Sequence, residues 1–450
     1  KRAINILLFR HHNDYRKKPY PKDYMNAKLP EQLQNDLNNL KKLAKKGMIK
    51  DQLIIEFPSG SKDAELSDCG IINKLEDKRR NLFSFLHLTI QEFLAAQHVV
   101  DNLENVESFL IDYIDNPKWH LVIQFVAGLI GDKFRNLEKE RDESERSATE
   151  LTKDEGMMKA ICERFQDWMP KDGKINGDQR KLLPLKCVHE MQEVGGIDLM
   201  TSFVCDNNGE EYDEFLLSNL SLAPMESAAL FGFFGSMKNL QFLKILDCTM
   251  EQSAYRRLSD LLRKDNKIKD LAIENCRTSD DDAKHVIDVL GHRNCKVTRL
   301  HLANNNLTAE SAKYFRDTLK SGNCKLTELN LNHNQLHDRG VEHLSEALMS
   351  GECTLTKLSL SGNKLSNQAA EYLRDVLSSE NCKLTELNLN GNYYLGTEYL
   401  SEALKSGQCK LSKLSLGGNK LKDDAVEYLS DALRSENCKL TELCLNENEL

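Results

Sequence analysis

The sequence predicts an α/β solenoid, with parallel strands inside and helices outside, preceded by a mostly α-helical front portion. Three observations predict it. An eleven-residue leucine pattern recurs in phase along the second half. The segments between copies switch to helical spacing. The first two hundred or so residues lack the repeat. The expected division is residues 1–100, 101–215 and 216–450.

The repeat reads L-x-x-L-x-L-x-x-N/C-x-L. It appears as LTELNLNHNQL from Leu326, LTKLSLSGNKL from Leu355, LSKLSLGGNKL from Leu411 and LTELCLNENEL from Leu440. VTRLHLANNNL from Val297 differs by one conservative change, and the copy from Leu384 has one extra residue in its turn. Looser copies start at Ile268 and Leu240, with Cys276 and Cys248 at the asparagine position. The eight starts are spaced 28, 29, 29, 29, 29, 27 and 29. A ninth, degraded copy is expected from Leu217.

Leucines two apart point to one face of a short strand. Asn305, Asn334, Asn363, Asn392, Asn419 and Asn448 follow, where a buried amide can satisfy turn backbone groups. Val341, Leu344, Ala347 and Leu348 then make a helical face, as do Ala370, Leu373, Val376 and Leu377. Helices are wider than the strand spacing of about 4.8 Å, so such a stack curves. Repeats of this length resemble the ribonuclease-inhibitor type of leucine-rich repeat, which implies a horseshoe. Arg299, His301, Glu328, Asn330, Lys357, Ser359, Glu386, Asn388, Lys413 and Ser415 fall on its concave side as a candidate ligand face. The charges alternate from strand to strand, so mutual neutralisation in solvent is the plainer reading of that row. The strands carry no Trp or Tyr to anchor a tight interface, while Tyr393 and Tyr394 stand at the irregular turn.

Composition limits the function. The 450 residues are 40% hydrophobic and 29% charged, with a net charge of -9, which disfavours a general nucleic-acid-binding surface. The longest apolar stretch, Leu121–Gly131, is too short to span a bilayer. Cys295, Cys324, Cys353, Cys382, Cys409 and Cys438 follow the repeat period and read as small buried hydrophobes. Unpaired buried thiols suit a cytoplasmic location. Asp280, Asp281 and Asp282 open a helix, so capping is expected there in place of metal binding. Residues 172–183 and 206–215 miss the EF-hand pattern. There is no nucleophile-elbow, zincin or Cys/His arrangement, so no enzyme is expected. The chain starts at Lys1 and stops on a strand motif at Leu450, and the expectation is a segment of a longer protein.

In the front portion, Leu33, Leu37, Leu40, Leu43 and Ala44 mark an amphipathic helix from Pro30 to Gly47. Lys41, Lys42, Lys45 and Lys46 read as its solvated face. Leu53, Ile55 and Phe57 alternate as a strand, and Ile71–Asp77 is a second short element. In FSFLHLTIQEFLAAQHVV, from Phe83 to Val100, Thr89 to Glu92 reads as a capping box. Ile90, Phe93, Leu94, Gln97 and Val100 follow as the helical stripe. Phe109–Gly131, Met157–Met169 and Leu182–Val194 are expected helices. Asp132–Gly156 is charged and reads as a solvated helix or loop.

Helix, hairpin, helix suggests a winged-helix-like domain. The run from Leu29 to Val100, with FSFLHLTIQEFLAA, resembles the winged-helix segment of NACHT-domain, leucine-rich-repeat NOD-like receptors. The repeats follow in that family's order. The resemblance implies a cytosolic innate immune receptor that self-oligomerises when intact. It implies that repeats and connector restrain a nucleotide-binding module and recognise a protein or pathogen-derived ligand. It implies ATP or ADP in the intact receptor, with His87 on the ADP phosphate. No phosphate-binding P-loop occurs among these residues, so no cofactor is expected here. The alternative is a stand-alone leucine-rich-repeat scaffold or inhibitor. A Ran-regulator type of GTPase activator fits neither the front half nor the acidic tail such proteins need.

Overall fold

The computed structural model describes residues 29–57, 66, 71–76, 80–102, 106–141, 162–169, 172–191, 212–392 and 395–449. The chain divides into two compact units. The first holds Lys1–Asp167 and Lys186–Gly196, and the second holds Trp168–Leu185 and Ile197–Leu450. Tyr393 and Tyr394, and the greater part of the charged segment 132–156, lie outside the described residues.

In the first unit, α1 (Glu31–Ile49) leads to β1 (Ile54–Phe57), β2 (Ile72–Lys74) and β3 (Asn81–Phe85). The strands form an antiparallel sheet in the order β1-β3-β2. Helix α2 (Leu88–Asp101) follows directly. Leu33, Leu37, Leu40, Ala44 and Met48 bury the inner face of α1. Gly47, expected to stop that helix, lies inside it instead. A Cβ there would stand 2.6 Å from the Gln91 side-chain nitrogen, so glycine allows the close approach of α2. Lys41 is not solvated: its ammonium is buried against the Asp101 carboxylate at 2.7 Å.

Two further expectations fail in this unit. The residues from Phe109 onward do not form one helix. Helix α3 (Val106–Tyr113) ends before a turn of 3₁₀ helix at Pro117–Trp119, and α4 (His120–Arg141) begins anew. The Asn116 side chain accepts from the Lys118 amide and caps this restart, with proline inside the first turn. The break lets Trp119 pack its ring 4.2 Å from Tyr113 and 5.6 Å from Phe109. The stripe on α2 is also rotated. Leu94 and Gln97 are buried as expected, but so are Gln91, Glu92, Ala95, Ala96 and Val99, while Ile90, Phe93 and Val100 are half-buried, because α2 packs against both α1 and α4.

The second unit is a leucine-rich-repeat solenoid. Its first strand is β4 (Lys174–Asn176), and α5 (Leu183–Met191) begins in this unit. Then come β5 (Glu214–Ser218), β6 (Ser221–Leu222), α6 (Pro224–Phe234), β7 (Phe242–Leu246), β8 (Thr249–Met250) and α7 (Gln252–Arg263). The regular repeats follow as β9 (Asp270–Glu274), α8 (Asp280–Leu290), β10 (Arg299–His301), α9 (Ala309–Leu319), β11 (Glu328–Asn330) and α10 (His337–Leu348). The series ends with β12 (Lys357–Ser359), α11 (Asn367–Leu377), β13 (Glu386–Asn388), α12 (Thr397–Lys405), β14 (Lys413–Ser415), α13 (Asp423–Leu433) and β15 (Glu442–Cys444).

Ten strands form one parallel sheet, from β15 in steps down to β9 and then β7, β5 and β4. The register is strict: Leu271, Leu300, Leu329, Leu358, Leu387, Leu414 and Leu443 sit side by side. The ninth copy does not start at Leu217. Leu217 pairs with Ile245 and Phe215 with Leu243, so Leu217 is the third apolar position of its motif, and Leu222, beside Met250, is the last. Residues 172–183, in the expected connector, carry the unexpected strand β4, with Ile175 beside Leu217. Val341, Leu344, Ala347, Leu348, Ala370, Leu373, Val376 and Leu377 are at most 2% exposed, as the helical spacing predicts.

The asparagines tie the stack together. Asn392 donates to the carbonyls of Leu360 and Leu389 at 3.1 and 2.9 Å, and accepts from the amides of Asn363 and Leu365 at 2.9 and 3.1 Å. Asn305 and Asn448 make the same four-way contact one repeat apart from their neighbours. Cys276 at the equivalent site makes only weak thiol contacts, its Sγ donating toward the Ile245 carbonyl at 3.5 Å. A second tie runs between helices. The Asp280 carboxylate accepts from the Thr308 amide and hydroxyl at 2.9 and 2.6 Å, and Asp338 holds Ser366 alike.

The expected capping role of the acidic run is met by Asp282, which forms a capping box with Ser279. Among the described residues no group of His, Cys, Asp or Glu could hold a metal ion. No described helix is long and apolar enough to cross a membrane. Burial pushes the Cys324 thiol up to about 11 and Cys276 to about 12.

Replacing Asn392 by Ala orphans the Asn363 and Leu365 amides and the Leu360 carbonyl, while the Leu389 carbonyl keeps the Asn419 side-chain donor. We expect a loss of about 3 kcal/mol or more, read as a lowered urea midpoint. Among the described cysteines, alkylation of the native protein at mildly alkaline pH is expected to modify exposed Cys444 first and fully buried Cys187 last, as peptide mass mapping would show.

Candidate recognition face and the His87 helix cap

The strict register converts a linear pattern into rows. Asp270, Arg299, Glu328, Lys357, Glu386, Lys413 and Glu442 form one row across seven strands. Ala272, His301, Asn330, Ser359, Asn388, Ser415 and Cys444 form a second row two residues further on. All ten residues picked from the sequence for this face therefore lie in two adjacent lines.

Charges pair along the first row. Lys357 meets Glu386 at 2.7 Å and Lys413 meets Glu442 at 2.7 Å. These hydrogen bonds raise the pKa of both ammonium groups. Arg299 turns the other way, to Asp270 at 2.8 Å, with its guanidinium 5.7 Å from the centre of the Phe242 ring. Asp270 also faces His301 at 3.7 Å. Glu328 thus lies between two cations that are each bonded elsewhere.

Sequence inspection missed Asp270, Phe242, Lys244 and Glu214. Their repeats are the looser ones, yet Phe242 and Glu214 pair in register and Lys244 bridges to Glu214 at 2.8 Å. The signal was available: these residues stand at the same offsets from Leu243, Leu271 and Phe215 as their counterparts do in the regular copies.

In the first unit, the capping box at Thr89 is not formed. His87 is the N-cap of α2, in extended backbone, and its Nδ1 accepts from the Thr89 amide at 3.1 Å. Accepting at Nδ1 leaves the ring proton on Nε2. His87 is exposed at the positive end of α2, and its carbonyl accepts from the Ile90 and Gln91 amides. Burial raises the pKa of Glu92 one turn on, opposed by the charge of His87.

The repeats are leucine-rich repeats by comparison as well. The family described as Leucine Rich repeat matches residues 293–315, 322–345, 352–373 and 380–398. Among solved structures, the chain is similar to one described as "Crystal structure of Rad7 and Elc1 complex in yeast". That likeness has a TM-score of 0.36 and 13% identity, and covers 75% of this chain and 78% of that one. No curated protein matches the chain.

His87→Ala should lower the stability of the front unit by about 1 kcal/mol, and His87→Asn should restore most of it. Amide exchange at Thr89, faster in the alanine variant alone, would report the lost cap.

Proposed function

We propose that the repeats are a protein-recognition surface and that the chain is the C-terminal regulatory and sensor portion of a cytosolic NOD-like receptor. The observation that carries the first part is the pair of in-register polar rows across the strands. A regular lattice of charges and short polar groups suits recognition of another protein's surface better than chemistry on a small molecule. The second part rests on FSFLHLTIQEFLAA, from Phe83 to Ala96, followed by repeats.

In that reading ADP or ATP belongs to a module upstream of Lys1. The exposed His87 at a helix N-terminus has the chemistry to donate to a terminal phosphate. The repeats restrain the module, and a partner that binds the released state more tightly shifts the equilibrium toward it. The released receptor then self-associates. The chain carries no catalytic role of its own.

Two measurements test this. Reading the codons that precede Lys1 should reveal a P-loop between a strand and a helix. Its absence would overturn the receptor reading and leave a repeat scaffold or inhibitor. Lys357→Glu with Lys413→Glu would set like charges beside Glu328, Glu386 and Glu442. A partner captured by the wild-type repeats should be lost by about tenfold or more. Unchanged capture would move recognition off these rows.

A further inference from the structure

The turn that follows each strand has a fixed residue in left-handed backbone. In the early repeats this is Asn219, Asp247, Asn275, Asn304 and His333, with φ between 53 and 55°. In the next three it is Gly362, Gly391 and Gly418, with φ of 66, 62 and 67°. The side-chain ridge present in earlier repeats is therefore missing over three repeats. The glycine backbones stack closely: a Cβ on Gly391 would be 3.8 Å from the Gly362 nitrogen, and one on Gly418 would be 3.7 Å from Gly391. The His333 ring closes one end over Gly362, and Glu447 closes the other beside Gly418. Four strand spacings separate those ends, about 19 Å, the length of some five or six extended residues.

The walls of this trough offer donors. Ser361 is only 8% exposed, and its hydroxyl has no partner in the structure. It points into the trough, 3.9 Å from where a Gly391 Cβ would stand. The Asn332 oxygen accepts from the Ser361 amide at 2.8 Å, and the Asn390 oxygen from the Gly417 amide at 2.7 Å. Asn330 and Asn388 use their oxygens on the amides of Asn332 and Asn390, each at 3.0 Å. Each of the four side chains has committed its acceptor and keeps an unpartnered amide donor. Lys364 and Lys420 stand exposed two residues beyond Gly362 and Gly418. A bare backbone floor, donor-only walls and flanking cations complement acceptors and negative charge.

We propose that this trough binds an extended acidic segment of a partner protein. Its carboxylates and carbonyls accept from Ser361 and the asparagine amides, mainly over the part between His333 and Gly391, away from Glu447. The proposal rests on the repeats being a protein-recognition surface, and it names the chemistry of the partner.

The test uses the full chain and a fluorescent alternating Asp-Gly octapeptide, with Asn-Gly and Lys-Gly octapeptides as controls. Binding is read by anisotropy. Gly391→Asn fills the trough with a residue that adopts this turn at Asn275 and Asn304, so the fold should persist. Asn332→Asp with Asn390→Asp keeps both acceptors and removes both donors. Each variant should weaken the Asp-Gly peptide by about tenfold or more with an unchanged melting temperature. Ser361→Ala should weaken it by a smaller factor. Lys357→Glu with Lys413→Glu, in the charged row, should weaken that affinity less than either trough variant does. The proposal is overturned if the Asp-Gly peptide binds no better than the Asn-Gly peptide. It is also overturned if Gly391→Asn binds as the wild type does, or if only the charged-row variant loses binding. Partner capture that persists in any of these cases would leave the broader recognition reading standing.

Discussion

Each asparagine of the ladder directs its donors to strand carbonyls and its acceptor to the turn of the preceding repeat. One side chain thereby fixes the position of two repeats at once. A turn displaced by one residue would leave several buried amides without partners, and no gain in leucine packing would compensate for that. Register follows from this constraint, and the rows follow from register. Both faces considered for recognition exist only because successive repeats cannot slide.

The regular half was legible because burial writes a period into sequence. Leu329 and Leu331 must both be apolar, Asn334 must be an amide, and the same demand returns each repeat. Where the demand relaxes, legibility goes. Strand β4 holds one inward residue, Ile175, between two glycines in left-handed backbone, so no leucine pattern announces it. Phe215 stands where a leucine was sought, which shifted the ninth copy. In the front unit, α2 is packed on two sides, and a helix buried on two sides shows no single stripe. Its cap was misplaced because histidine is an uncommon N-cap, while Thr89 to Glu92 mimics a common one. The candidate rows could be listed from the regular copies, but Asp270 and Phe242 needed the pairing itself.

The two rows and the trough divide the labour of recognition differently. Along the row from Asp270 to Glu442, every charge but that of Glu328 is already held by an opposite one, so a partner must displace existing contacts to use them. That favours selectivity over strength. In the trough the acceptors are already used and the donors are idle, so a ligand adds bonds without breaking any. The first unit offers a feature of another kind. Its exposed His87 is anchored at Nδ1 by the Thr89 amide and closes the first turn of α2.

The change from cysteine to asparagine along the ladder has a mechanical consequence. At Cys248 and Cys276 the rung is a thiol, a weak donor and a weak acceptor, whereas from Asn305 onward every rung both gives and receives. Adjacent repeats are therefore bolted together unevenly. Stretched along its axis, the solenoid would yield first among its early turns, while the later ones moved as a single stiff block.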